Sequence, residues 1–479
     1  MVASPGYHTR FPTITNQLYQ LAAGTVTSVE LVRRSLDAID ASQSTLNAFR
    51  IVLRQKALAD AARADRKRAA GEELPLLGIP IAVKDDVDIA GVPTRFGADG
   101  DIRPAVQDAE VVRRLRAAGA VIVGKTNSPS MGLRGVTDNY LFGPTRNPWD
   151  VTRNAGGSSG GAAAAVADGM LTIAEGTDGG GSVRIPAAWC GVYGYKQSWV
   201  RVPAIFRPNA FGGTDPFLFE GVITRTVADA ALGMTALAGY DPRDPFAIRE
   251  EVDLLGALER DIAGMRIAYS PDLDVFPVDR RVAVVVADAV RAFEEAGAVV
   301  DEVRLGITRD QRELSDLWCR LIMPINVATV EGLRAEGYDV RPDLPPEYLH
   351  WLDVGYELTA LDIARDQALR TEIFDAIQAV FTDHDLLVHP TVAALPVPNA
   401  SDGNTLGPSE IEGVAVDPLI GWCLTYFANF TGHPAASIPA GLADGLPVGM
   451  QITGRSGADA DVLAASATFE RLRPWSFPD

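Results

Sequence analysis

The sequence predicts an α/β fold with a largely buried sheet. Short apolar runs at residues 78–83, 121–123, 265–270, 385–388 and 448–453 have the length and composition of buried strands. Stretches with helical periodicity alternate with them, as expected of strands covered by helices. The chain is also large enough, at 479 residues with 47% hydrophobic, to bury an extensive core. No fixed-period repeat or inter-domain linker interrupts it. Residues 1–479 therefore read as one domain that opens with a mainly helical segment, 1–70.

The elements follow in order. Val29, Leu31, Val32, Leu36 and Ile39 recur at helical spacing behind Thr27 and Ser28, either of which can cap the first turn, with Glu30 just inside it. A second helix fits residues 53–70, polar on one face and alanine-rich on the other. Residues 78–83 then form a strand that ends at Lys84. A helix over 108–118 leads into the strand at 121–123. From 156 to 194 glycine, alanine and serine dominate, so backbone geometry counts for more than side-chain bulk. Residues 146–150 read as loop, as does the Ser/Asp/Gly/Asn-rich stretch 399–413.

Composition narrows the function classes. Lysine and arginine number 43 against 62 aspartates and glutamates, a net charge of −19 that disfavours nucleic acid and anionic membrane as partners. Cys190, Cys319 and Cys423 are far apart and form no CxxC or Cys/His cluster, so they read as reduced, packed thiols and not as metal ligands. Residues 1–17 lack the apolar stretch of a leader, and no apolar run approaches the ~20 residues of a membrane span. A cytoplasmic protein is expected.

Two motif matches fail on context. Residues 119–126, GAVIVGKT, satisfy the phosphate-loop pattern, but Val121-Ile122-Val123 suits a buried strand and not a glycine-rich loop between strand and helix. Gly156-Gly157-Ser158-Ser159-Gly160-Gly161 matches G-x-S-x-G twice. A nucleophile elbow needs a strand before it and histidine and acid partners after it. His350, His384, His389 and His433 do follow, so a Ser–His–Asp hydrolase is the competing reading. His433 sits in the turn-like Thr431-Gly432-His433-Pro434 and His389 precedes Pro390, so local structure explains both without catalysis.

The informative segment is 156–196, GGSSGGAAAAVADGMLTIAEGTDGGGSVRIPAAWCGVYGYK. Together with blocks at 78–85, 124–127, 143–150 and 429–441, it resembles the amidase signature family, serine amidohydrolases with a Ser–cis-Ser–Lys triad. The resemblance implies a large mixed β-sheet core covered by helices on both faces, with residues 240–400 as the variable region that shapes the substrate pocket. It assigns Lys84 as base, Ser158 as the bridging serine after a cis peptide, and Ser182 as nucleophile. The backbone amides of Gly179, Gly180, Gly181 and Ser182 match the family's oxyanion hole. Asp178 and Arg184 would pair to brace the loop, with Ser159 adding a hydrogen bond behind the site. Met131 and Gly132 align with a segment that lines the site, and Trp318 and Cys319 are pocket candidates in the variable region. The resemblance implies no metal and no organic cofactor. It implies a small-molecule amide as substrate, and a homodimer is allowed.

Physical chemistry supports these positions separately. A lysine serves as base only when neutral, which burial at the end of an apolar strand favours. Three glycines before Ser182 let amides converge on one point, because no Cβ obstructs the turn. Two departures stand out. Gly179 replaces the family's usual Thr or Ile, which predicts a more flexible loop or room for a bulkier acyl group. Tyr195-Lys196-Gln197 replaces the usual Leu-Lys-Pro. The expected reaction is hydrolysis of a carboxamide through an acyl-enzyme. Hydrazides, cyclic amides, or a glutaminase role within a tRNA-dependent amidotransferase are the alternatives.

Overall fold

The computed structural model describes residues 12–98, 102–207, 209–212 and 217–478. Most of the stretch 1–17, read above for a leader, lies outside them. In chain order the strands are β1 (Phe49–Val52), β2 (Pro80–Lys84), β3 (Val121–Thr126), β4 (Arg146–Asn147), β5 (Asp150–Asn154), β6 (Ile173–Asp178), β7 (Tyr193–Lys196) and β8 (Phe219–Thr224). They continue as β9 (Arg266–Tyr269), β10 (Val299–Glu302), β11 (Leu386–Pro390), β12 (Glu410–Ile411), β13 (Val414–Ala415), β14 (Ala435–Ala443) and β15 (Leu446–Gly454). Eleven form one sheet in the order β1-β3-β2-β6-β8-β7-β14-β15-β11-β9-β10. It is mixed: β2 runs parallel to β3 and β6, whereas β8 is antiparallel to both β6 and β7.

Period-2 alternation divides the core. Ile81 and Val83 of β2 enter one buried cluster, while Ala82 between them enters another. The first face is covered by α4 (Glu110–Ala117), α7 (Val227–Leu237), α8 (Arg280–Ala289) and α14 (Asp459–Leu472). The other carries α3 (Arg54–Ala69), α5 (Gly160–Ala167) and α6 (Arg184–Cys190), with much of α2 (Ser28–Leu46). All eight residues of α5 are buried, and their small side chains let the helix lie close to sheet and neighbour. A further cluster gathers α10 (Gln311–Ala335), α11 (Pro346–Glu357), α12 (Ala360–Asp383) and α13 (Phe427–Thr431) around Trp189 and Trp422.

Local signals behave as their chemistry requires. Thr27 caps α2 in a reciprocal box with Glu30, worth about 1 kcal/mol. Residues 119–126 are the turn after α4 and strand β3, not a phosphate loop. One reading is overturned. Residues 146–150 are not loop throughout, because β4 and β5 pair as a small hairpin whose turn is held by Asn147 Oδ1 accepting from the Trp149 amide at 2.9 Å. Its strands are too short and polar to give an apolar signal. The hairpin forms its own sheet, apart from the central one. The loop 399–413 likewise ends in the start of the β12–β13 hairpin.

What matters for the site is one edge. Strands β2 and β6 are parallel with Ala82 opposite Ala174. Continuing that register brings Lys84 beside residues 175–177, where both strands end.

Candidate active site

Lys84 is 1% exposed, so its amino group must find its partners internally. Nζ lies 2.7 Å from Ser158 Oγ, 2.6 Å from Thr177 Oγ1 and 2.9 Å from Asp86 Oδ2. Thr177 donates its own proton to Asp86 Oδ2 at 2.7 Å, closing a ring of partners around the amine. The adjacent Asp85 takes no part. It faces Arg50 at 3.2 Å and Lys125 at 3.1 Å, which explains the buried Lys125 of the false phosphate loop.

Behind the lysine sits a pair of carboxyl groups. Glu175 accepts the Lys84 amide at 2.9 Å and is hydrogen-bonded to Glu220 on the neighbouring strand. Burial pushes both up, and the Asp86 charge adds to it; Glu175, opposed also by the Glu220 charge, rises well above the carboxylate range, while Glu220, eased down by its hydrogen bond with Glu175, reaches about 7.

The Gly157–Ser158 peptide is cis. Thr137 fixes the serine's backbone, donating from Oγ1 to Ser158 O at 3.2 Å and accepting the Gly160 amide at 3.0 Å. Ser159 gives α5 no side-chain cap. Its amide donates instead to Ser182 O at 3.1 Å and its hydroxyl to Thr177 O at 3.3 Å, tying the two serine loops together.

Ser182 follows the three glycines after β6 and is 8% exposed. The loop before it is shaped by Asp178, whose Oδ1 accepts from the Gly181 amide at 2.8 Å and whose Oδ2 accepts from the Val183 amide at 3.1 Å. Arg184 donates to the same carboxylate through Nη2 at 2.8 Å and Nε at 3.0 Å, both residues fully buried. Burial by itself would raise the Asp178 carboxyl, but the Arg184 guanidinium brings it down to about 2. Gly181, at φ 122°, must be glycine: a Cβ there would lie 2.0 Å from Thr425 Oγ1. Because Gly181 N–H serves Asp178, the loop amides with no protein acceptor among the described residues are those of Gly179, Gly180 and Ser182.

A slightly exposed serine, a buried amine hydrogen-bonded to a second serine, and loop amides with no protein acceptor among the described residues are groups of the kind that acyl transfer uses. Comparison with known proteins identifies the family. Residues 30–463 match the model of the family described as Amidase. The chain belongs to the amidase family. An acylamidase of Rhodococcus erythropolis is 38% identical over 96% of this chain and 95% of its own. The crystal structure of a bacterial aryl acylamidase of the amidase signature family superposes with TM-score 0.94 at 44% identity, covering 97% of each chain. A glutamyl-tRNA(Gln) amidotransferase subunit of Chloroflexus aurantiacus is 36% identical over 97% of both chains. As an amidase-family hydrolase, the chain acts on carbon–nitrogen bonds other than peptide bonds.

The amidase fold also places the remaining candidates. Gly132 borders the centre, since a Cβ there would lie 3.5 Å from Ser158 Oγ and 3.8 Å from Lys84 Nζ. Met131 is half-buried beside it, at φ 55°, with its amide held by Phe96 O at 2.7 Å. Trp318 is 3% exposed and reaches the loop, whereas Cys319 is fully buried and its thiol is pushed up by burial. The smaller Gly179 opens no extra room, because Leu218 and Ile322 already occupy the space, 2.8 and 3.4 Å from where its Cβ would be.

The histidines point elsewhere. His389 and His433 are buried, held down to about 4 and about 3 by desolvation, and bonded to Gln451 and Gln378. Histidine in such surroundings is a neutral packing group. Among the described residues no cluster of His, Cys, Asp or Glu could hold a metal ion, and no helix is long and apolar enough to cross a membrane. Sequence reasoning gave Asp86 no place in the site and missed Thr177, Glu175, Glu220 and Thr425. None of them left a signal in the sequence, each being an ordinary residue type.

Proposed function

We propose that the protein hydrolyses small acyl or aryl amides through an acyl-enzyme on Ser182. The observation that carries the reading is Lys84 Nζ at 2.7 Å from Ser158 Oγ, both residues buried, with the neighbouring Ser159 amide bonded to Ser182 O. Neutral Lys84 takes the Ser158 proton as Ser158 takes that of Ser182, and Ser182 Oγ attacks the acyl carbon. The oxyanion settles among the amides of Gly179, Gly180 and Ser182. The relay then runs backwards, delivering a proton to the departing nitrogen, and water attacks the ester by the same route. Asp86 balances the charge that Lys84 acquires during each transfer. A preference for acyl anilides is supported by the similarity to an acylamidase and an aryl acylamidase.

Ser182→Ala should abolish turnover of an acyl anilide and labelling by a fluorophosphonate. The lysine mechanism is wrong if that variant keeps its activity while His389→Ala or His433→Ala loses it. A second reading, the glutaminase component of a tRNA-dependent amidotransferase, draws support from the similarity to the Chloroflexus aurantiacus protein. The purified chain tested alone separates the two: turnover of simple amides supports the first, and turnover of glutamine only, enhanced by partner proteins, supports the second.

A further inference from the structure

Of the four peptide planes between Asp178 and Ser182, the two that join the glycines to one another decide whether the Gly180 and Gly181 amides face the reacting carbonyl. A trans peptide points its C=O and its following N–H in opposite directions, so fixing one fixes the other. The Gly180–Gly181 plane is held at both ends. Thr425 Oγ1 donates to Gly180 O at 2.5 Å, and the Gly181 amide donates to Asp178 Oδ1 at 2.8 Å. The Gly179–Gly180 plane is held at one end only, by Trp318 Nε1 donating to Gly179 O at 3.0 Å. Its other end, the Gly180 N–H, has no protein acceptor among the described residues.

Trp318 is packed firmly enough to hold this contact. It projects from α10, nearly fully buried, with its ring stacked near Phe217 at 6.4 Å between centroids. Its indole lies so close to the loop that a Cβ on Gly180 would fall 2.8 Å from three of its atoms. The ring thus covers the loop from one side while its N–H anchors the carbonyl. Gly179 has no side chain of its own with which to fix that plane.

From this geometry we infer that Trp318 is a positioning residue for the oxyanion site: its indole N–H holds the Gly179 carbonyl and thereby turns the Gly180 N–H toward the acyl oxygen. The inference rests on the acyl-enzyme reading above. It makes Trp318 a determinant of transition-state stabilisation and not of substrate fit. The indole touches the loop's carbonyl and need not touch the substrate.

The test removes the donor while keeping the shape. Trp318→3-benzothienylalanine, installed by nonsense suppression, replaces N–H by sulfur in a ring of nearly the same outline. Trp318→Phe is a second variant that keeps an aromatic face against Gly180. On an acyl anilide, kcat is expected to fall roughly 10- to 100-fold in both, somewhat less than deleting an oxyanion donor outright, with KM within about threefold. Affinity for a trifluoromethyl ketone, which forms a tetrahedral adduct, should fall by the same factor as kcat/KM. Unchanged kcat in either folded variant, or a loss confined to KM, overturns the inference. The reading beneath it fails separately: if Ser182→Ala still turns over, the acyl-enzyme is wrong. If Ser182→Ala is dead and the Trp318 variants keep kcat, only the role of Trp318 is wrong.

Discussion

Replacing Asp178 by asparagine tests the buried ion pair that shapes the Ser182 loop. Five donors converge on this one carboxylate: the amides of Gly181 and Val183, Arg184 Nε and Nη2, and Asn429 Nδ2. Asparagine keeps one acceptor oxygen and turns an NH2 toward the other donors, leaving the fully buried Arg184 without its counter-charge. Two routes give the magnitude. A carboxyl lowered from 3.8 to about 2 gains about 2 kcal/mol by being charged in the folded state. Breaking a buried pair by removing one partner costs about 3–5 kcal/mol. With an unfolding entropy of about 1 kcal/mol/K for 479 residues, a loss of this size lowers Tm by about 2–5 °C.

Urea and thermal melts of Asp178→Asn beside the wild type provide the assay. Since the folded carboxyl is held below its unfolded value, its contribution is complete above about pH 4 and is lost as pH falls toward about 2. The gap between the two proteins should therefore be constant from pH 7 to about 4 and close below that. Turnover should drop as well, because the Gly181 and Val183 amides lose their anchor. A loss under about 1 kcal/mol at pH 7 would refute the reasoning.

Two further outcomes follow from the same surroundings. Glu220, held up to about 7 by burial, with Asp86 opposing its charge, binds a proton in the folded state that the unfolded state has released. Its contribution is present below about pH 4.5 and lost as pH rises through about 7, so Glu220→Gln should flatten the decline of Tm between pH 5 and 8; parallel slopes for the two proteins would contradict this. Gly181→Ala would drive a methyl into Thr425 Oγ1 at a φ that L-residues avoid. It should reduce kcat at least roughly tenfold, and near-normal turnover in a folded variant would show that the loop geometry is not limiting.

Much of the fold was legible because burial writes itself into sequence. The runs that became β2, β3, β9, β11 and β15 are apolar because the sheet is covered on both faces. Thr27 and Glu30 announced the start of α2 because a cap is a local contract among four residues. The β4–β5 hairpin escaped because its polar strands pair only with each other. Within the site, the glycine-serine blocks stood out since close backbone approach forbids other residues there. Asp86, Glu175, Thr177 and Thr425 did not, for each is an ordinary residue type whose partner lies tens or hundreds of positions away or, for Asp86, on a side chain that sequence alone does not aim.

The sequence by itself determined the α/β class, the strand that ends at Lys84, the glycine-rich turn before Ser182 and the family that these blocks resemble. Each depends on a local pattern or a contiguous motif. Tertiary structure alone decided which polar groups meet. The parallel pairing of β2 with β6 brings Lys84 to Thr177, and the packing of α10 brings an indole N–H to the Gly179 carbonyl. It also decided that Leu218 and Ile322 occupy the space beside Gly179, and that Asp178 claims the Gly181 amide. The reason is that hydrogen bonds and close packing act over about 3–4 Å of space, while residues joined by them can be as far apart in the chain as Asp178 and Asn429, 251 positions.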